Sequence, residues 1–201
     1  MTNELKRPDY AIIADWIRPG SHVLDLGCGN GTLLAYLKRN KAARGYGIEI
    51  NDDHITECIR RNINVIHMDL NEGLSEFDDD SFDYVILSLT LQAMQRPDLI
   101  LQEMMRVSTE GIVTFPNFGY LRSRLQLALG RMPKTRTLPH EWYDTPNIHL
   151  CTLKDFEDLC RQLHLEVLER RAVDRAHKTS LGLRLFPNLL GKIALYRFKK
   201  L

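Results

Sequence analysis

The run Val23-Leu24-Asp25-Leu26-Gly27-Cys28-Gly29-Asn30-Gly31 constrains this chain more than any other segment. Three glycines at alternate positions join a short apolar stretch to Thr32-Leu33-Leu34, where helical spacing begins. Such a pattern suits a backbone that turns sharply and lets a ligand approach with no Cβ in the way. A dinucleotide fingerprint, G-x-G-x-x-G, would need glycine where Thr32 stands. A phosphate-binding P-loop would need Gly-Lys-Ser/Thr, and Gly31 is followed by Thr-Leu-Leu. What remains is Asp-x-Gly-x-Gly-x-Gly, with a carboxylate on the strand ahead of the turn. Asp25 there suits the ammonium of a cationic, amino-acid-bearing nucleoside, taken directly or through water.

The rest of the chain places this loop in an α/β sheet. Apolar runs of strand length at His22–Leu26 and at residues 46–50, 65–68, 84–88 and 112–115 alternate with helical spacings such as Leu33, Leu34, Leu37 and Leu101, Met104, Met105. Continuous Val/Ile/Leu runs predict strands covered on both faces, as in a parallel sheet with helical crossovers. Pro97 marks the first turn of one crossover helix. Residues 119–152 break the pattern with Pro133, Pro139 and Pro146 beside Trp142 and Tyr143, and read as a long insertion or lid. Regular spacing resumes with a helix over 154–163 and strands over 165–168 and 193–198. The 201 residues fit a single domain, with 20–118 as the nucleoside-binding half and 119–201 as the insertion and C-terminal part.

Two further acids fall at strand ends. The second strand ends in Gly47-Ile48-Glu49-Ile50, which places Glu49 where open α/β sheets bind ribose hydroxyls. The third ends in Asp69-Leu70, suited to an adenine amino group and to packing against its ring. The bland alternatives are a tight-turn glycine cluster, a helix cap and an exposed loop acid. The three features occur in order at the C-terminal ends of successive strands, which favours the nucleoside.

Charge and cysteine usage exclude several classes. With 27 Lys/Arg against 26 Asp/Glu, the chain has no global attraction for nucleic acid or an anionic membrane. The charge is unevenly divided: residues 1–118 hold 11 basic and 18 acidic groups, net −7, and residues 119–201 hold 16 and 8, net +8. The basic half is either solvated surface or a face that meets an acidic partner or an anionic substrate. Cys28, Cys58, Cys151 and Cys160 form no CxxC pair and none stands at zinc-ligand spacing from a His, so buried thiols and no metal are expected. The N-terminal residues show no apolar leader and no stretch reaches the roughly 18 apolar residues of a span, so no membrane association and a cytoplasmic location are expected.

The glycine loop with its trailing acids resembles the class I S-adenosylmethionine (SAM)-dependent methyltransferases over residues 20–118, and more loosely to the C-terminus. The resemblance implies a Rossmann-like fold: a seven-stranded, mostly parallel sheet with an antiparallel last strand, helices on both faces, and SAM or S-adenosylhomocysteine across the carboxyl ends of the first strands. The cofactor-binding set is then Asp25, Gly27, Cys28, Gly29, Asn30, Gly31, Glu49, Ile50, Asp69, Leu70 and Ser88. A narrower resemblance rests on residues 81–88, Thr90-Leu91-Gln92-Ala93, Phe115-Pro116-Asn117-Phe118-Gly119, Gly130-Arg131-Met132-Pro133 and above all residues 141–151, EWYDTPNIHLC. These look like the methionine-biosynthesis MetW family. That likeness implies work beside a homoserine O-acyltransferase, as its activating or complex-forming partner.

Methyl transfer from a sulfonium needs mainly alignment and exclusion of water. An amine or hydroxyl acceptor still calls for a carboxylate, His or Tyr near the methyl, and the segment after the fourth strand, Ser88-Leu89-Thr90-Leu91-Gln92, is neutral. The Asn/Asp-Pro-Pro-aromatic motif that grips planar amines is missing there too. Gln92, Glu141, Tyr143, Asp144 and His149, with Trp142 as an aromatic wall, are candidates for an acceptor pocket; the alternatives are a partner-docking surface or packing of the lid, with His149 a hydrogen-bonded structural residue. Arg122, Arg124, Arg131 and Arg136 are a solvated face, a docking patch or an anion site. No catalytic residue is assigned. The accessory role is favoured over a SAM-dependent methyltransferase acting on a small metabolite, and SAM as a regulator of the partner would combine the two.

Overall fold

The computed structural model describes residues 8–174 and 181–201; residues 1–7, at the start of the segment read for a leader, and 175–180, within the basic half, lie outside the described residues. Seven strands form one sheet in the order β3-β2-β1-β4-β5-β7-β6. They are β1 (His22–Leu26), β2 (Arg44–Glu49), β3 (Val65–His67), β4 (Phe82–Ser88), β5 (Ser108–Pro116), β6 (Leu165–Val173) and β7 (Ile193–Lys200). β1 to β5 are parallel, and β7 runs antiparallel to both β5 and β6, as the class I fold requires. The expected mostly parallel sheet is the observed one.

Side-chain alternation along the central strands sends successive residues to two cores. Val23, Tyr84 and Ile86 join Ile13, Leu33 and Leu37 of α1 (Pro8–Trp16) and α2 (Thr32–Lys41) on one face. Leu24, Leu26, Val85 and Leu87 meet Leu101 and Met104 of α4 (Pro97–Val107) and Phe156 of α6 (Leu153–Gln162) on the other. Each such fully buried side chain contributes roughly 1.5–3 kcal/mol of transfer free energy. Local signals start the helices where these faces need them. Pro97 opens α4, Asn51 accepts from the His54 amide to cap α3 (Asp52–Arg60), and Thr152 with Asp155 forms a capping box on α6.

The structure departs from the sequence expectation in three places. The segment read as a loop insertion, residues 119–152, contains a helix, α5 (Leu121–Ala128). β6 extends five residues past 168 through a register shift between Val167 and Glu169; it is an edge strand, and its charged residues Glu169, Arg170 and Arg171 do not read as an apolar run. Two short helices, α7 (Leu181–Leu185) and α8 (Pro187–Leu190), precede β7. Among the described residues no helix is long and apolar enough to cross a membrane.

Candidate functional site

The strand order reverses between β1 and β4, and the glycine loop leaves β1 at that switch point, where open sheets form a crevice beyond the carboxyl ends of their strands. Gly27, Gly29 and Gly31 have φ of 67°, 54° and 73°, a region costly to side-chain-bearing residues. Protein atoms crowd two of them. A Cβ on Gly27 would lie 2.8 Å from Thr90 Oγ1, and one on Gly31 would lie 2.9 Å from Cys58 Sγ. A Cβ on Gly29 would meet nothing within 4 Å, so this glycine presents bare backbone to open space. The Cys28 amide donates to Ile48 C=O at 2.9 Å, tying the loop to β2, and Asn30 Oδ1 accepts from the Thr32 amide and hydroxyl at the start of α2.

Two of the three acids meet this loop, and the third stays in its own turn after β3. Asp25 is 1% exposed on β1, directly before it. Glu49, 8% exposed at the end of β2, accepts from the Gly29 amide through Oε2 at 2.8 Å and from the Ile50 and Asn51 amides through Oε1 at 3.0 Å each. Three of about four carboxylate lone-pair positions are thus used, leaving capacity for a hydroxyl donor. Asp69 follows β3 and accepts from the Asn71 amide at 2.9 Å and its side-chain NH2 at 3.0 Å, capping the turn that buries Leu70. Ser88 ends β4 with its hydroxyl 3.3 Å from Thr114 Oγ1.

Cys28 points under the loop, with its sulfur 3.9 Å from that of Cys58. Burial first, then the nearby Asp25, pushes the Cys28 thiol far above its ordinary range; burial also raises Cys58. What Cys28 offers a ligand is therefore backbone. Burial likewise pushes Cys151 and Cys160 up to about 12, so all four cysteines are protonated thiols at neutral pH.

The second candidate group divides. Leu89, at φ 56°, is held in that conformation by its amide donating to Thr114 C=O at 2.9 Å and Oγ1 at 3.0 Å. The turn that follows brings Gln92 and His149 together: the Ile148 and His149 amides both donate to the Gln92 carbonyl, at 2.8 and 3.0 Å, and His149 Nε2 lies 3.3 Å from Gln95 C=O. Gln92 Nε2 donates to Leu89 C=O at 2.6 Å, whereas its Oε1 is buried with no hydrogen-bond partner among the described residues. Trp142 and Tyr143 are exposed and pair edge to face at 5.7 Å, and Asp144 accepts from the Glu141 amide within its own turn. Thr90, Thr114 and Cys58, which shape the loop and the turn beside it, carried no sequence signal for those roles; they arrive by tertiary contact. A cavity of about 620 Å³ opens elsewhere, at the amino ends of β1 and β2 between His22, Lys38, Arg44 and Asn64, on the wrong edge of the sheet for these acids.

Solved structures share this architecture. A SAM-dependent methyltransferase from Archaeoglobus fulgidus superposes with a TM-score of 0.73 at 18% identity, covering 99% of this chain and 95% of that one. The [4+2]-cyclase SpnF matches at 0.66 and 17% identity, over 95% of this chain and 80% of that one. At these identities the likeness shows the class I methyltransferase fold alone, and one fold carries different chemistries. In sequence, the bifunctional methionine biosynthesis protein MetXA/MetW of Rhodopirellula baltica is 40% identical over 171 residues, covering 80% of this chain and 27% of that protein. This chain thus spans about a quarter of that relative's length. The family model for methionine biosynthesis protein MetW matches residues 7–198, and the chain belongs to the MetW family.

Proposed function

We propose that the protein binds SAM or S-adenosylhomocysteine on the glycine loop and serves methionine biosynthesis as the accessory, activating partner of a homoserine O-acyltransferase. The observation that carries the partnership is the relative in which MetXA and MetW occur in one bifunctional protein. The fit of the nucleoside rests on Gly29, whose bare backbone faces open space beside two buried acids. In this reading Asp25 and the loop backbone hold the amino-acid moiety, Glu49 accepts from the ribose, Asp69 from the adenine amino group, and Ile50 and Leu70 flank the ring. Bound SAM supplies an electrophilic methyl on a sulfonium. Around it, residues 88–92 offer no titratable side chain to take a proton from an acceptor, which favours the accessory role over independent catalysis.

The decisive experiment is the rate of the cognate homoserine O-acyltransferase with and without this protein, each with and without SAM. The expected result is a clear rise on adding the protein. A rate that never moves, with no complex in sedimentation, overturns the accessory reading. One observation favours the second reading, methylation of a small metabolite: the unpartnered Gln92 Oε1 could receive an acceptor's N–H or O–H. A methylated product from metabolite extracts incubated with labelled SAM would support it.

A further inference from the structure

Helix α5 is turned inside out. Leu121, Leu125 and Leu129, spaced at four-residue intervals along it and its C-terminal cap, lie in solvent, with Leu129 79% exposed, while the buried position is Ser123, at 1%. A surface helix ordinarily does the reverse, burying its apolar stripe. Past its end the chain folds back along the helix: the Arg131 amide donates to Gln126 C=O, and the Gln126 side chain both accepts from the Lys134 amide and donates to Lys134 C=O. The chain so tethered, residues 130–134, forms one side of a groove of about 560 Å³ just past the helix, with Met132, Ile148, Leu150 and Trp142 in its walls, Trp142 being 72% exposed. Exposed aromatic, Met and Arg side chains around a concavity are enriched in interfaces.

The charge of this face selects its occupant. Residues 119–144 contain five basic residues, Arg122, Arg124, Arg131, Lys134 and Arg136, against two acids, Glu141 and Asp144, and Glu141 lies in the groove wall. Arg124 donates to Gly119 C=O and Lys134 pairs with Glu141, whereas the side chains of Arg122, Arg131 and Arg136 make no hydrogen bond or ion pair among the described residues. A concave groove suits a chain segment better than a flat bilayer. We propose that the exposed leucines of α5 and the groove just past its C-terminal end dock a segment of the acyltransferase that carries apolar anchors flanked by Asp and Glu. The inference rests on the accessory reading above and adds to it the surface and the chemistry of the contact.

The test uses the whole protein and the cognate acyltransferase, with calorimetric affinity and acyl-transfer rate as readouts. The variants are Leu125→Asp and the double charge reversal Arg122→Glu with Arg131→Glu; Ile59→Asp, on the exposed face of α3, is the control. All the substituted residues are exposed, so thermal melting and SAM affinity should match wild type in each. The expected result is that the α5 variant and the charge-reversal variant each lose roughly tenfold or more in affinity for the acyltransferase, while the control binds normally. Wild-type affinity in both variants overturns the docking surface and leaves the accessory role standing. Absence of wild-type binding and activation overturns both. Loss of self-association, or of binding to anionic phospholipid vesicles, in the variants with acyltransferase affinity unchanged would assign the face to a second copy or to a membrane and also overturn the proposal.

Discussion

Gly27, Gly29 and Gly31 share one backbone region yet answer to different demands. Thr90 and Cys58 fill the space beside the first and third, so those glycines are required by packing; beside Gly29 there is only open space. Gly29→Ala should therefore cost folding about 1–2 kcal/mol through its φ of 54° alone, while a nucleoside lying over the loop would meet the new methyl. The expected outcome is a modest loss in chemical denaturation and a loss of SAM affinity of about tenfold or more by calorimetry, a penalty of about 1.4 kcal/mol. Asp25→Ala should weaken the same titration. Unchanged affinity in both would place the ligand elsewhere. Gly45 is the structural counterpart: a Cβ there would stand 1.7 Å from Val23 C=O, inside the β1–β2 pairing. Gly45→Ala is expected to destabilise by more than about 3 kcal/mol, and an unfolding midpoint equal to wild type would mean the strands can part at little cost.

At the scale of elements, Arg106 shows how α4 is locked to the loop before β4. Its guanidinium donates to Leu74 and Phe77 carbonyls and pairs with Glu103 and Asp79, at 2.8 to 2.9 Å throughout. Hydrogen bonding to Arg106 holds the Glu103 carboxyl below its ordinary value, and Glu103 in turn raises Arg106. A folded-state value below the unfolded one means the stabilisation is complete above about pH 4.3 and is lost as pH falls through the folded value. Arg106→Ala should cost about 1–3 kcal/mol near neutrality by stranding two carbonyls, and its deficit against wild type should narrow in acid. A deficit constant down to pH 3 would remove the carboxylate from the account. The sequence disclosed such elements unevenly. β1 and β4 are legible because both faces are buried and their apolar runs are nearly unbroken, interrupted in β1 only by Asp25, whereas the C-terminal end of β6 is not, because Glu169, Arg170 and Arg171 on this edge strand spend their side chains on ion pairs with Arg197, Glu157 and Glu169. α5 is harder to read because its leucines lie in solvent, so its spacing shows no buried face. The acids of the candidate site were legible through their order at strand ends. The turn after β4 was not, since Leu89 takes a positive φ that only its contact with Thr114 explains.

Across the whole molecule, one short segment touches both proposed functions. Thr90 rests on Gly27 of the glycine loop, and two residues later the Gln92 carbonyl carries the Ile148 and His149 amides of the insertion whose groove is proposed to dock the acyltransferase. A ligand that stiffens the loop would, through this turn, bias how residues 148–150 present the groove wall. Binding linkage then demands symmetry: if SAM changes acyltransferase affinity by some factor, the acyltransferase must change SAM affinity by the same factor. We expect that factor to differ measurably from one, about 5-fold or more being typical of coupled sites, when each affinity is measured by calorimetry with the other ligand saturating. Thr90→Ala, which removes the contact on Gly27 without touching the groove, should bring the factor toward one while each separate affinity moves less. A wild-type factor of one would sink the coupling and leave SAM and partner as independent tenants of the fold. The net +8 of residues 119–201 against −7 in the remainder adds a separate signature. Contacts at the groove should weaken steeply as salt rises past about 0.15 M, where screening sets in within roughly 8 Å, and SAM binding between buried acids should respond far less. If salt weakens both equally, the two sites are not electrostatically distinct, and the division of charge along the chain has some origin other than docking.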